Sequence, residues 1–118
     1  MKKFITSIVL SIALSSCGVF NSLTSNTSIK PNESFFLGKN HHGSFKVKLK
    51  NVSNHDIEVY FAPSEGGTHS RQVVKVNQEI RLKVDRNTAV VIENKNKDYA
   101  SVDLKVTGDL NLGMTYNQ

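Results

Sequence analysis

Phe45-Lys46-Val47-Lys48-Leu49-Lys50 is the stretch on which the fold turns. Apolar and cationic side chains alternate through all six positions. Successive side chains of an extended chain point to opposite faces, so Phe45, Val47 and Leu49 share one face and the three lysines the other. A helix, at about 3.6 residues per turn, would scatter both kinds around its axis. The stretch therefore reads as a β-strand with one buried and one solvated face.

The same period recurs on both sides of it. Ile57, Val59 and Phe61 alternate with Glu58 and Tyr60, and Val74 and Val76 flank Lys75. Ile80, Leu82 and Val84 alternate with Arg81 and Lys83, and Val90 and Ile92 follow. Ala100, Val102, Leu104 and Val106 alternate with Ser101, Asp103 and Lys105. Leu110, Leu112, Met114 and Tyr116 suggest a last strand over 109–116, whose deletion should be costly because terminal strands tie down chain ends. Turn-forming clusters separate the runs: Ser53 to Asp56, Pro63 to Thr68, Asn77-Gln78, Asp85 to Asn87 and Asn94 to Asp98. Asn, Asp and Gly tolerate left-handed backbone, which suits them to such places. No stretch holds a helical period over ten residues. Seven or eight short strands with polar turns predict an all-β fold, a small antiparallel β-sandwich of immunoglobulin-like or similar form over residues 34–118. A small β-barrel is the alternative. Val47, Val59, Leu82 and Leu104 are the expected core.

The chain has 118 residues, one domain's worth, and a single cysteine, Cys17, so no internal disulfide can form. Met1-Lys2-Lys3 is a cationic start, and Phe4 to Leu14 is an uncharged apolar run of eleven residues. Eleven helical residues extend about 16 Å, too little to cross a hydrocarbon layer of about 30 Å. A cationic start, a short apolar stretch and small residues after it make an export signal. Without residues 1–16, 13 basic and 10 acidic side chains remain. That excess is mild and argues against nucleic acid as a partner.

Leu14-Ser15-Ser16-Cys17 resembles the lipobox of bacterial prolipoproteins: a branched apolar residue, two small residues and the cysteine. The resemblance implies that residues 1–16 are a cleaved signal peptide. It also implies that the Cys17 thiol carries diacylglycerol and that its new amino group takes a further acyl chain such as palmitate. Two or three acyl chains hold a protein firmly on a membrane. The lipid on Cys17 would then be the only added group, with no cofactor. Gly18, where an aspartate would favour inner-membrane retention, implies an outer-membrane lipoprotein facing the periplasm. The cell surface and the outer face of the cytoplasmic membrane are the alternatives. Residues 17–33, rich in Ser, Thr and Asn, read as the lipidated cysteine and a flexible tether.

Candidate chemistry is sparse. His41, His42, His55 and His69 fall in expected loops, without the clustered ligands a zinc site needs, so they read as exposed loop residues and no metal is expected. Asp103 with Asp109, or Glu58 with Glu65, are the carboxylate pairs one would test for glycoside hydrolysis, but no spacing brings them together. There is no Gly-x-Ser-x-Gly elbow, and a lipidated Cys17 is no nucleophile. The reading is of a protein that is not an enzyme. Gly66-Gly67 lies in the longest expected loop, Ala62 to His69, and marks a mobile hairpin.

The patterned feature is the run of cations. Lys46, Lys48 and Lys50 share one strand face, and Arg81 and Lys83 share another. If the two strands are neighbours, these residues form a basic stripe suited to phosphate on lipid or to anionic polymers. Lysine is also the ordinary solvent-side residue of a half-buried sheet and a guard on edge strands. The functional expectation is a lipid-anchored, non-catalytic cell-envelope lipoprotein whose sandwich binds a protein or envelope-polymer partner, alone or as part of an assembly. The alternative is an inhibitory or ligand-binding module that sets the basic face against an anionic glycan, lipid or wall-degrading enzyme.

Overall fold

The computed structural model describes residues 22–117. The expected signal peptide, Cys17 and residues 18–21 lie outside the described residues. Nine strands are described: β1 (Ser22–Ile29), β2 (Glu33–Leu37), β3 (Phe45–Asn51), β4 (Ile57–Pro63), β5 (His69–Val74), β6 (Glu79–Val84), β7 (Thr88–Asn94), β8 (Ala100–Gly108) and β9 (Met114–Asn117). They form two antiparallel sheets, β1-β8-β3-β6 and β9-β2-β7-β4-β5. The sheets do not close on each other, so the fold is a β-sandwich and the barrel alternative falls.

Alternation places the core between the sheets. Phe45, Val47 and Leu49 of β3, Leu82 and Val84 of β6 and Val102, Leu104 and Val106 of β8 are buried from one side. Phe35 and Leu37 of β2, Ile57 and Val59 of β4, Val74 of β5 and Val90 and Ile92 of β7 meet them from the other. The four expected core residues, Val47, Val59, Leu82 and Leu104, are all buried. Each such side chain stabilises by about 1.5–3 kcal/mol before ordering entropy is subtracted. Strand β7 is covered on both faces: Val91, pointing outward, is fully buried beneath its cross-strand neighbours Phe36 and Tyr60.

Three boundaries differ from the sequence reading. The tether expected to run to residue 33 gives way at Ser22 to β1, which pairs with β8 from Ser22↔Thr107 to Ile29↔Ala100. Its inward positions are Leu23, Ser25, Thr27 and Ile29, and the two hydroxyls in the middle satisfy each other at 2.9 Å. Polar inward residues hid the alternation. Next, the last strand begins only at Met114. Leu110 and Leu112 pack against the core from an irregular segment clamped by Asn40, whose side chain donates to the Asn111 carbonyl and accepts from Gly113 N–H. The longest connection between described strands is 38–44 rather than the Gly66-Gly67 loop, because β4 continues to Pro63.

Two buried asparagines join the sheets at one end. Asn51 of β3 donates from Nδ2 to the carbonyls of Val74 on β5 and His55, and its Oδ1 accepts from Ser53 N–H. Asn94 of β7 donates to the carbonyls of Ile29 on β1, Lys30 and Asp98, and accepts from Asn96 N–H. Low local dielectric makes such satisfied buried groups strong and their loss costly. Asn77 and Asn87 take left-handed φ in their turns, as turn asparagines commonly do.

Candidate anion-binding face

Strands β3 and β6 are neighbours, and their register sets Lys46 opposite Lys83 and Lys48 opposite Arg81. On the other side of β3, β8 sets Thr107 opposite Lys46 and Lys105 opposite Lys48. Two rows therefore cross the outer face of the four-stranded sheet. One is Thr107-Lys46-Lys83 and the next is Lys105-Lys48-Arg81. The side chains line a shallow groove of 340 Å³ with Thr107. Lys105 is a member the sequence reading did not include. Its signal was present, since it sits on the same face of its strand as Ser101 and Asp103. What was missing was the strand order that puts β8 beside β3.

Lys50 belongs to a third row and has a different setting. It lies opposite Glu79 on β6 and Asp103 on β8, so it is flanked by carboxylates. Asp103 also accepts a hydrogen bond from Asn26 Nδ2 at 2.7 Å. The expected basic stripe forms, but it comprises Lys46, Lys48, Arg81, Lys83 and Lys105, with Lys50 at its border beside Glu79 and Asp103.

Among the described residues, Lys46, Lys48, Lys50, Lys83 and Lys105 take part in no salt bridge, and Arg81 has one long contact with Glu79 at 3.9 Å. Like charges directly opposite one another cost a sheet about 0.2–1 kcal/mol per pair. Edge protection accounts for Arg81 and Lys83, because β6 is an edge strand. It does not account for Lys46, Lys48 and Lys105, because β3 and β8 are interior strands.

The outer face of the five-stranded sheet handles a like-charge pair differently. Glu58 on β4 lies opposite Glu93 on β7, and Arg71 Nη1 donates to both at 2.7 and 2.8 Å. Lys95 Nζ adds contacts of 3.5 and 3.8 Å. Tyr60 donates its hydroxyl to Glu93, and the Arg71 guanidinium lies over the Tyr60 ring at 4.1 Å. Hydrogen bonding from Arg71, with help from Lys95, holds the Glu58 carboxyl below its ordinary range. Burial and the neighbouring Glu93 charge push Tyr60 up. This cluster is internally neutral and ties edge strand β5 to the sheet. On the basic face, among the described residues, the one such contact is the 3.9 Å approach of Glu79 to Arg81.

The other candidates separate. Glu58 is committed to Arg71, while Glu65 lies past the far end of β4. Asp103 is mid-strand, whereas Asp109 lies beyond the end of β8. The Asp109 carboxylate accepts from the N–H groups of Asn111 and Gly43, which lower its pKa. His41 is exposed and His55 half-buried. His69 opens β5 rather than lying in a loop, and its ring meets Phe61 edge-on at 5.4 Å. His42 is a correction: it is buried, with its ring nitrogens on the carbonyls of Gly43 and Thr88 and its edge against Phe45. Among the described residues no group of three or more His, Cys, Asp or Glu is placed to hold a metal ion. No family model and no curated protein matches this chain.

Proposed function

We propose that the chain is a lipid-anchored, non-catalytic cell-envelope protein that binds an anionic partner on the outer face of its β1-β8-β3-β6 sheet. One observation carries the reading: five cations from three adjacent strands stand in register with no neutralising carboxylate inside their two rows. An exposed cation set of this kind attracts phosphate or carboxylate polymers and headgroups over a screening length of about 8 Å at physiological salt. The anchor reading rests on Leu14-Ser15-Ser16-Cys17. Under it, cells fed a labelled fatty acid should incorporate the label into the protein, and Cys17→Ala should abolish that incorporation. A parent protein that takes up no label, or a variant that still does, would refute the anchor. For the face, the soluble domain should bind a sulfated or phosphorylated polyanion with affinity that falls steeply as salt rises. Salt-independent binding, or none, would refute it.

A second reading, a protein partner, is favoured by the opposite end of the sandwich. Val76 and Tyr99 are exposed there at 41% and 61%. Their turns are cross-tied through His55 Nε2 to the Tyr99 carbonyl and Val76 N–H to the Asp56 carboxylate. Pull-down from native membranes with Tyr99→Ser as comparison separates the readings, since loss of a stoichiometric protein in that variant supports this one.

A further inference from the structure

The register of the four-stranded sheet sets the cationic rows at the end where the chain enters the sandwich. Ser22, the first residue of β1, pairs with Thr107, Thr107 with Lys46, and Lys46 with Lys83. The next row is Thr24, Lys105, Lys48 and Arg81. The carboxylates of Asp103 and Glu79 come one row farther on, with Asn26 and Lys50. Neighbouring strands lie about 4.8 Å apart, and same-face residues about 6.8 Å apart along a strand. The Cα atoms of all five cations therefore lie within about 16 Å of that of Ser22.

Cys17 precedes Ser22 by five residues, a length of chain that covers at most about 18 Å. A lipid on Cys17 would hold the Ser22 end of the sheet, and with it both cationic rows, near its own leaflet. So short a link keeps the effective concentration of headgroups at the face high. Resting instead on the tips of the neighbouring turns would gain less, because those tips carry Lys39, Arg86 and His41 against Glu65, Asp85 and Asp109. Asp85 lines a groove with Lys46 and Lys83, and Glu79 and Asp103 line one with Lys48 and Lys105, so each row has carboxylates at its border and none within it.

We infer that the anionic partner of the basic face is the headgroup layer of the very leaflet that holds the Cys17 lipid, so that anchor and face dock the sandwich on the membrane at two points. The inference rests on the lipid-anchor reading above. Acyl chains fix the chain to the bilayer, and the two rows fix which side of the domain meets it.

The test uses the full lipidated protein, reconstituted on the outer leaflet of phosphatidylcholine vesicles with or without phosphatidylglycerol. Its lysines are acylated with a water-soluble reagent, and the rate at each site is read by mass spectrometry. Lys46, Lys48, Lys83 and Lys105 should react several-fold more slowly on the anionic vesicles, with high salt abolishing the difference. Lys75, Lys95 and Lys97 should react alike on both. Equal rates for the row lysines, or uniform slowing of every lysine, overturn the docking while flotation at high salt shows the anchor intact. Protein that floats with neither vesicle at high salt overturns the anchor itself, and with it the two-point device.

Discussion

Replacing Asn94 tests how the two sheets are held together. Its Nδ2 group serves the carbonyls of Ile29, Lys30 and Asp98 at 3.0, 3.2 and 2.8 Å, and its Oδ1 accepts from Asn96 N–H at 3.1 Å. The two Nδ2 hydrogens are shared among three carbonyls, so with the Oδ1 bond a net contribution of about 1 kcal/mol per hydrogen bond puts the loss in Asn94→Ala at about 3 kcal/mol. That is a large fraction of the 5–15 kcal/mol typical of a whole domain, and it should lower the melting temperature by about 12–25 °C. Asn94→Asp keeps the shape but turns the donor into a carboxylate facing three carbonyl oxygens. Burial and those dipoles favour the protonated acid, raising its folded-state pKa above the unfolded one. A raised pKa contributes stability at low pH that is lost as pH rises through the folded value, so this variant should gain on the parent as the solution is acidified. Thermal melts of the soluble domain by circular dichroism, at neutral and mildly acidic pH, measure both effects. A drop below about 4 °C for Asn94→Ala, or a pH-independent gap for Asn94→Asp, would refute the reasoning.

Other perturbations follow from the same contacts. Leu104, 3% exposed and set between Ser25 and Leu49 in the sheet, should cost about 2–5 kcal/mol as Leu104→Ala in urea unfolding, and Leu104→Asp should not fold. Gly108 has φ of +98°, and a Cβ there would lie 3.0 Å from Phe45 Cα, so Gly108→Ala should lose about 1–3 kcal/mol in the same assay. Because Arg71 and Lys95 hold the Glu58 pKa below 4.5, Glu58 adds stability above that pH and loses it as pH falls through its folded value. The melting temperature of Arg71→Leu should therefore fall less steeply with acidification than that of the parent.

The fold was legible wherever alternation was carried by aliphatic residues. Phe45 to Lys50 and Ala100 to Val106 read correctly because their inward positions are Val, Leu, Phe or Ala. Strand β1 was not legible, since Ser25 and Thr27 face inward and bond to each other, leaving a polar string indistinguishable from a tether. Asn51 and Asn94 were equally silent. An asparagine in a turn and one buried between sheets look alike until the carbonyls it serves are placed. The basic face was half legible. Same-strand spacing grouped Lys46 with Lys48 and Arg81 with Lys83, but membership of Lys105 and the carboxylates beside Lys50 depend on which strands are neighbours. Strand order comes from long-range pairing, which no local pattern encodes. His42 was misread because its burial depends on Gly43, Phe45 and Thr88 closing around it.

The most direct test of the account is a comparison of two triple variants with the same net charge. One is Lys48→Gln/Arg81→Gln/Lys105→Gln, within the second row. The other is Lys30→Gln/Lys75→Gln/Lys97→Gln, away from it. Each basic residue near an anionic surface contributes about 1 kcal/mol, so removing three from the face should weaken partitioning of the soluble domain onto phosphatidylglycerol vesicles by about a hundredfold. The predicted result is that loss for the row variant and near-parental binding for the other. Equal weakening in both would show that net charge alone governs binding and would contradict the account.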